Sequence, residues 1–409
     1  MTIYNTFGLN NACKTGDSLR ALEIMEKNVA DYDELDENDS TCLMWAICNK
    51  MDRVCNQILA SENGHVEKVN TYGRTALIYA CSYSNTSMID KLLAYENVLC
   101  CNFCKTGKDV GKTALFFVLE NKMYTYVPKL LAKGDCSLNK VSDGNNVLIL
   151  ACSLRNEEVA LQIFEACLKT NDFNFEHTAN NETAFLLACK FRLINLANKM
   201  LASNKLLNLK MVDTFGKTAL LYALHNNMAG TSMTILQSTE DCNICYSTSS
   251  YNTALLSTCL RMPEDLILQI LQSPKINSQN INQRDQYGKT PFAYACIHRN
   301  LKVATTIFEK YDSSTWQTLL MTSCKLCFPQ IALHIADKYL ELLSSNADES
   351  TLIKAKTIFN NRDSEGFDCM HYATNSYPYT TNDLAMFVDL HGKLDEITEL
   401  FENVICHNF

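Results

Sequence analysis

Short apolar runs alternate with polar, turn-forming stretches along almost the whole chain. A typical unit places Leu77, Ala80 and Cys81 at helical spacing, breaks at the polar residues 84–86, and continues with a second apolar run over residues 88–93. Apolar residues three to four positions apart are typical of amphipathic helices. Each unit therefore predicts a pair of short helices, which a polar stretch joins to the next pair.

The unit returns at a nearly constant period. We call the first residue of its central phrase, Thr-[Ala/Pro]-[Leu/Phe]-x-x-Ala-Cys in the clearest copies, the slot. The slots are Thr41, Thr75, Thr113, Asn146, Thr183, Thr218, Thr253, Thr290, Thr318 and Asp368. A degenerate earlier copy places a slot at Phe7. Such a period predicts an all-α solenoid of stacked antiparallel helix pairs, because one pair cannot bury its apolar face alone.

Small and polar residues mark the turns and helix starts of this unit. Glycine two residues before the slot suits a positive φ; it occurs at Gly73, Gly111, Gly144, Gly216, Gly288 and Gly366. The slot hydroxyl is expected to cap the first helix by accepting from a free backbone N–H. Alanine at slot plus five lets neighbouring helices approach closely, as at Ala80, Ala151, Ala188, Ala223 and Ala295.

The Gly-x-Thr-[Ala/Pro]-[Leu/Phe] opening, the period and the second helix resemble the ankyrin repeat over roughly residues 40–373. The resemblance implies a curved solenoid with short β-hairpin fingers on one side. The chain departs from the family at slot plus three, where histidine is usual and only His371 keeps it; the other repeats have Ile78, Phe116, Ile149, Leu186, Leu221, Leu256 and Ala293. We expect apolar packing in place of that polar network. The repeat style is similar to those of large DNA viruses or protists.

Three regions are expected along the chain. Residues 1–40 form a degenerate N-terminal capping repeat, and residues 41–335 form the ankyrin-like repeats. Residues 336–409 hold an irregular insertion, the last repeat and C-terminal capping helices. In that last region the apolar pattern predicts an extended second helix over 336–343, a helical piece over 351–356, and a closing helix pair over 383–388 and 393–401.

Composition narrows the function classes. The net charge of −9 disfavours a general nucleic-acid binder, which needs a basic footprint. No apolar run reaches the length that spans a bilayer, so no membrane contact is expected. The first residues lack the basic region and apolar core of a secretion signal. We expect a cytoplasmic protein, in the host cytoplasm if it is viral, and a monomer.

The twenty cysteines raise the question of metal or redox chemistry. Many occupy seam positions, where cysteine acts as a small hydrophobe: slot plus six has Cys13, Cys81, Cys152, Cys189, Cys259, Cys296 and Cys324, and slot plus one has Cys42 and Cys369. Two Cys-x-x-Cys pairs, Cys101/Cys104 and Cys242/Cys245, lie in equivalent linkers four repeats apart. Stacked helices about 8–10 Å apart would hold these pairs too far from each other to share one zinc ion. A single pair with other ligands, or a redox pair, stays open; no metal or cofactor is expected.

No catalytic motif stands out in the sequence. The eight histidines are scattered, and neither a Gly-rich phosphate loop nor a Gly-x-Ser-x-Gly motif is present. The acidic run 33–37 is interpreted as a solvated loop. We therefore expect a protein that is not an enzyme.

The resemblance implies that partners contact the finger tips and the exposed side of the first helix. The corresponding candidates are Tyr72, Arg74, Tyr83, Lys112, Glu120, Lys190, Phe191, Phe215, Lys217, His225, Arg261, Tyr287, Lys289 and His298. Four of them are basic and share slot minus one. This basic row, which comprises Arg74, Lys112, Lys217 and Lys289, is expected to meet an acidic patch on a partner, with simple solubility as the alternative.

Three functions remain open at this point. The first is a non-enzymatic scaffold that binds partner proteins through finger loops and inner helices. The second is a substrate adaptor for a ubiquitin ligase; the Leu-Pro-rich start typical of viral ligase-recruiting tails is missing, and the only late proline is Pro378. The third is a thiol- or metal-binding protein that uses the Cys-x-x-Cys loops.

Overall fold

The computed structural model divides into two compact units, Met1–Asn208 and Leu209–Phe409, which are described separately. The structure describes residues 8–27, 30–61, 65–134, 136–170, 172–239, 242–243, 253–274, 276, 278–311, 315–344, 362–363, 365–375 and 381–406. The division falls inside the range 41–335 that the sequence assigns to repeats.

The first unit is a series of helix pairs with short hairpins between some of them. Its α-helices are α1 (Leu9–Thr15), α2 (Ser18–Glu26), α3 (Cys42–Cys48), α4 (Asp52–Ala60), α5 (Ala76–Ser82), α6 (Thr86–Ala94), α7 (Ala114–Glu120), α8 (Val127–Ala132), α9 (Val147–Ser153), α10 (Glu157–Leu168), α11 (Ala184–Lys190) and α12 (Ile194–Ala202). Two 3₁₀ turns, Gly107–Asp109 and Tyr124–Tyr126, accompany them. Two antiparallel hairpins pair β1 (Val141–Ser142) with β2 (Asn145–Asn146) and β3 (Thr178–Ala179) with β4 (Glu182–Thr183).

The second unit continues the same alternation of helices. It contains α13 (Ala219–His225), α14 (Ala229–Gln237), α15 (Ala254–Arg261), α16 (Glu264–Gln272), α17 (Ser278–Asn282), α18 (Pro291–Ile297), α19 (Leu301–Phe308), α20 (Trp316–Lys325), α21 (Pro329–Ser344), α22 (Cys369–Asn375) and α23 (Thr381–Cys406).

Helix starts follow the sequence prediction closely. The side chain of the slot residue accepts from the backbone N–H three residues on, at 2.9–3.5 Å, at Thr41, Thr75, Thr113, Asn146, Thr183, Thr218, Thr253, Thr290 and Asp368. The six glycines at slot minus two have φ between 70° and 84°. Thr318 is an error of the prediction, because it lies inside α20 and caps nothing. The helix begins at Trp316, ahead of the slot, and only seven residues separate it from α19.

Within each unit, helices stack on their counterparts in the next pair. First helices contact first helices, as in α5·α7 and α18·α20, and second helices contact second helices, as in α10·α12 and α16·α19. The alanines at slot plus five and the cysteines at slot plus six are almost completely buried in these seams. Each unit is thus an all-α solenoid, as the period predicts.

The C-terminal part differs from the expected one. The extended helix is present as α21, but the closing helix pair is one continuous helix, α23. Gly392 in its middle does not break it, since i,i+4 ion pairs span this point from Lys393 to Asp389 and from His391 to Asp395 and the helix packs along α21 and α22. The predicted piece 351–356 lies outside the described residues. Over the described helices, none combines the length and the apolar character that a membrane span requires.

Candidate protein-binding surface

Five fingers are fastened to the helix that follows them by one recurring pair of side chains. The pair joins an Asp or Asn at slot minus five to a Tyr or Trp at slot plus four. We call it the finger clamp; it comprises Asp36–Trp45, Asn70–Tyr79, Asp213–Tyr222, Asp285–Tyr294 and Asp363–Tyr372, with donor–acceptor distances of 2.5–3.2 Å. The sequence analysis missed it, although the nine-residue spacing between these residue types is visible in all five repeats.

The clamp at Asp285 illustrates the geometry. One carboxylate oxygen accepts from the backbone N–H groups of Tyr287 and Lys289, both at 2.9 Å. The other oxygen accepts from the hydroxyl of Tyr294 at 2.5 Å. One buried side chain therefore holds both the turn of the finger and its attachment to α18.

Burial and hydrogen bonding shift the pKa values of this pair in opposite directions. Burial, followed by the hydrogen bond to Asp285, raises the pKa of Tyr294 to about 12. For Asp285, burial acts upward, but the hydrogen bonds from Tyr294 and from the two backbone N–H groups outweigh it and lower the pKa. The clamp is thus set with an ionised carboxylate and a neutral tyrosine at neutral pH.

Three of the five clamped fingers hold an aromatic side chain in solvent at slot minus three. Tyr72, Phe215 and Tyr287 are 40%, 67% and 73% exposed. The turn beneath each is fixed by backbone hydrogen bonds to the clamp residue at slot minus five. These candidates of the sequence analysis are therefore exposed and attached to an ordered turn.

The basic row lies over the rings at slot plus four. The distances from cation to ring centre are 5.5 Å for Arg74 over Tyr79, 5.6 Å for Lys112 over Phe117, 5.2 Å for Lys217 over Tyr222 and 5.9 Å for Lys289 over Tyr294. Such contacts stabilise modestly, by about 0.5–1 kcal/mol at exposed sites. Each cation therefore has a structural contact within its own repeat.

Carboxylates compensate the row in the first unit. Arg74 pairs with Asp109 at 2.6 Å, and Lys112 lies between Asp109 at 3.3 Å and Glu120 at 2.9 Å. Asp109 thus links two successive fingers, a role that the sequence analysis did not assign. Among the described residues, Lys217 and Lys289 form no ion pair with a carboxylate.

The other candidates fall into local groups beside these rings. Tyr83 stacks on Tyr79 with ring centres 6.5 Å apart, and Cys48 Sγ donates to its hydroxyl at 3.1 Å. His298 stacks on Tyr294 in the same way, also at 6.5 Å. Tyr83 and His298 each lie one helical turn after the ring at slot plus four, so the same stacked pair forms in both repeats.

The remaining candidates are more engaged with their own chain. Lys190 pairs with Glu182, and Arg155, which the sequence analysis missed, lies 4.3 Å from the ring centre of Phe191. His225 is half-buried at the end of α13. The side chain of Arg261 lies outside the described residues.

Comparison with known proteins gives one match. The family model for ankyrin repeats (3 copies) matches residues 9–102. The chain contains ankyrin repeats. No curated protein matches it. The ankyrin match begins at α1, ahead of the first slot with a full phrase, and the caps and seams described above recur after residue 102.

The cysteines of these ankyrin repeats are thiols in packed surroundings. The cysteines whose side chains the structure describes form no disulfide with one another, and Cys104 and Cys242 are buried rather than exposed on their loops. Burial raises the pKa of Cys259 and of Cys152 to about 12, which disfavours the reactive thiolate. In the part of the chain that the structure describes, no three His, Cys, Asp or Glu side chains come together as a metal site. Cys245, the last member of the second Cys-x-x-Cys pair, lies outside that part.

Proposed function

We propose that this protein is a non-enzymatic scaffold that binds partner proteins through its clamped fingers and the exposed side of its first helices. Ankyrin repeats generally mediate protein–protein interactions, and enzymatic activity is not typical of the family. The observation that carries the proposal is the set of exposed aromatics, Tyr72, Phe215 and Tyr287, on fingers fixed by the clamp.

The physical basis is preorganisation. Tyrosine and other large aromatic side chains dominate protein interfaces because they bury much area at little cost in conformational entropy. A finger that is already held by its clamp loses little conformational entropy on binding. It therefore binds more tightly than a loose loop with the same side chains would. Tyr83 and His298 extend the same surfaces along the first helices.

Affinity purification with mass spectrometry from the native cell tests this function. Phe215→Ala/Tyr287→Ala is expected to lose partners that the unchanged protein retains. Leu19→Ala is the control, since Leu19 is as exposed as Tyr287 but lies on the second helix α2. Equal recovery of all partners with both variants would contradict the proposal.

A second candidate function is a substrate adaptor for a ubiquitin ligase that docks on the C-terminal helix. Leu384 and Val388 lie one turn apart on α23, and both are more than half exposed. Leu384→Ala/Val388→Ala should release ligase subunits while substrates remain bound through the fingers. If the unchanged protein recovers its partners without any ligase subunit, the adaptor function is rejected and the scaffold function remains.

The cellular setting belongs to the same proposal. We place the protein in the cytoplasm, as a monomer with protein partners, no nucleic acid and no cofactor. The net charge of −9 supports proteins over nucleic acids as partners. Sedimentation of the purified chain and fractionation of cells test these points.

A further inference from the structure

Fingers in the first unit pack on one another through their backbones. Lys105 N–H donates to the carbonyl of Tyr72 in the preceding finger at 2.8 Å, and Thr71 N–H donates in the same way to Asn38 at 2.9 Å. A Cβ at Gly73 would lie 2.3 Å from the carbonyl oxygen of Phe103. Glycine is required there because the next finger lies directly against it.

The finger 285–290 of the second unit is followed by a shorter connection. Residues 309–315 alone join α19 to α20, whereas residues 61–75 join α4 to α5. A Cβ at Gly288 would meet nothing within 4 Å. Among the described residues, nothing donates to the carbonyl of Tyr287, the counterpart of the acceptor at Tyr72. Over the described residues, the docking face of this finger therefore has no such neighbour.

A cleft of about 560 Å³ lies between this finger and α20. Arg284, Tyr287 and Lys289 line it from the finger side, and Thr318 and Lys325 line it from α20. Its volume is in the range of binding clefts in proteins, and an extended chain of a few residues fits it at about 3.3 Å per residue.

The cleft carries positive charge in a chain whose net charge is −9. Arg284 and Lys289 have no carboxylate at ion-pair distance in the described part of the chain, and Arg284 uses one N–H on the carbonyl of Gly288 at 3.0 Å. Lys325 is shared with Asp363 and Glu365 at 3.9 and 3.8 Å. Lys289 interacts electrostatically with the buried Asp285 carboxylate, and the cations that line the cleft without an ion pair among the described residues are Arg284 and Lys289.

We propose that this cleft binds an extended, acidic segment of a partner protein, which takes the place that the next finger occupies in the first unit. A backbone N–H of the segment donates to the Tyr287 carbonyl, its backbone lies against Gly288, and its carboxylates meet Arg284 and Lys289. Pairing of an added strand through its backbone, with side chains giving specificity, is a known mode of peptide recognition. The proposal rests on the proposed function and names the kind of segment that this one site accepts.

Selection of random peptides of about ten residues on phage against the full-length protein tests the site. Selected peptides are then made with a fluorophore, and their Kd values are measured by fluorescence anisotropy at several salt concentrations. Enrichment of Asp- and Glu-containing peptides is expected, with affinity that falls as salt rises. Gly288→Asn and Arg284→Glu/Lys289→Glu should each weaken binding by about tenfold or more, that is about 1.4 kcal/mol.

Matched controls keep the result specific. Asn tolerates positive φ, so Gly144→Asn imposes the same backbone demand on a finger of the first unit and should leave the affinity unchanged. Lys302→Glu reverses an exposed charge that is paired with Glu264 outside the cleft and should also be neutral.

Three outcomes would overturn the proposal: enrichment of neutral or basic peptides, equal affinity for Gly288→Asn, or dimerisation of the chain that Gly288→Asn abolishes. In the last case a second copy occupies the cleft. Partner recovery by the Gly288→Asn variant separates the two proposals, because it can persist through other fingers when this site fails.

Discussion

Among the described repeats, hairpin fingers and clamped fingers are held in different ways. The hairpin fingers 141–146 and 178–183 use strand pairing, with Val141 opposite Asn146 and Thr178 opposite Thr183. Their slot-plus-four residues, Leu150 and Leu187, cannot hydrogen-bond through their side chains. The clamped fingers instead use a buried carboxylate or amide and an aromatic partner. A side-chain clamp thus holds the finger in repeats where strand pairing holds it in the others.

The two kinds also display different tips. At slot minus three the hairpin fingers have Asp143 and Asn180, both in the left-handed region with φ near 50°. Three clamped fingers have Tyr72, Phe215 and Tyr287 there. Aromatic residues are poorly suited to a left-handed turn, so the clamp, which leaves this position free of that demand, permits an exposed ring. Under the proposed function, we expect binding to be concentrated on these three clamped fingers.

The largest expected effect is common to both kinds. Leu148→Ala in a hairpin repeat and Leu220→Ala in a clamped repeat each remove a buried seam side chain at slot plus two. Each should lower the free energy of unfolding by about 2–5 kcal/mol, measured by chemical denaturation with probes in each unit. A clearly smaller loss at one site would mean that the two seams are not equivalent.

Removal of a clamp carboxylate should cause the next largest loss of stability. Asp285→Ala leaves two backbone N–H groups and the Tyr294 hydroxyl without their acceptor, at a cost of about 3 kcal/mol in the local opening of the finger. Hydrogen exchange at the Tyr287 and Lys289 amides measures it. Asn145→Ala in a hairpin finger, where the side chain bonds only weakly to Asp143 at 3.4 Å, should change exchange by no more than about 0.5 kcal/mol.

The hydroxyl of the clamp tyrosine should contribute less. Tyr294→Phe removes one hydrogen bond to a charged acceptor, worth about 1.5–3 kcal/mol, and keeps the ring beneath Lys289. Thermal unfolding of this variant is compared with that of Tyr287→Phe, whose hydroxyl belongs to an exposed ring. If both variants unfold alike, the clamp hydrogen bond does not stabilise the finger.

The smallest effect is expected from acid. Because the pKa of Asp285 is lower in the folded chain than in the unfolded one, its stabilisation is present above the unfolded value of about 3.9 and is lost as the pH falls through the folded pKa. Amide chemical shifts of Tyr287 and Lys289 should therefore move at acidic pH below about 4. The amide of Ile149, which donates to the uncharged Asn146 side chain in a hairpin repeat, should not follow that titration.

Much of this architecture is readable from the sequence because it depends on local rules. A Thr before an apolar run caps a helix, and the six glycines two residues before a slot take a positive φ. The rule fails at Thr318 because it ignores the short connection before α20. It also fails in the tail, where packing of α23 along α21 outweighs a Gly in the middle of the helix.

The candidate site was less accessible to such rules. Exposure of Tyr287 could be expected from its place before a turn glycine. Compensation of Arg74 and Lys112 by Asp109 depends on how two fingers meet, which the repeat pattern alone does not specify. The clamp is partly predictable. Its nine-residue spacing is visible in the sequence, but only the structure shows that the side chains of Asp285 and Tyr294 face each other.

The cysteines at slot plus six can serve as built-in probes of local unfolding. Each is enclosed in the seam of a different repeat, so an alkylating reagent reaches it only when that repeat separates from its neighbour. Brief exposure to such a reagent, followed by peptide mapping, would report which part of the stack loosens first and which part a bound partner protects.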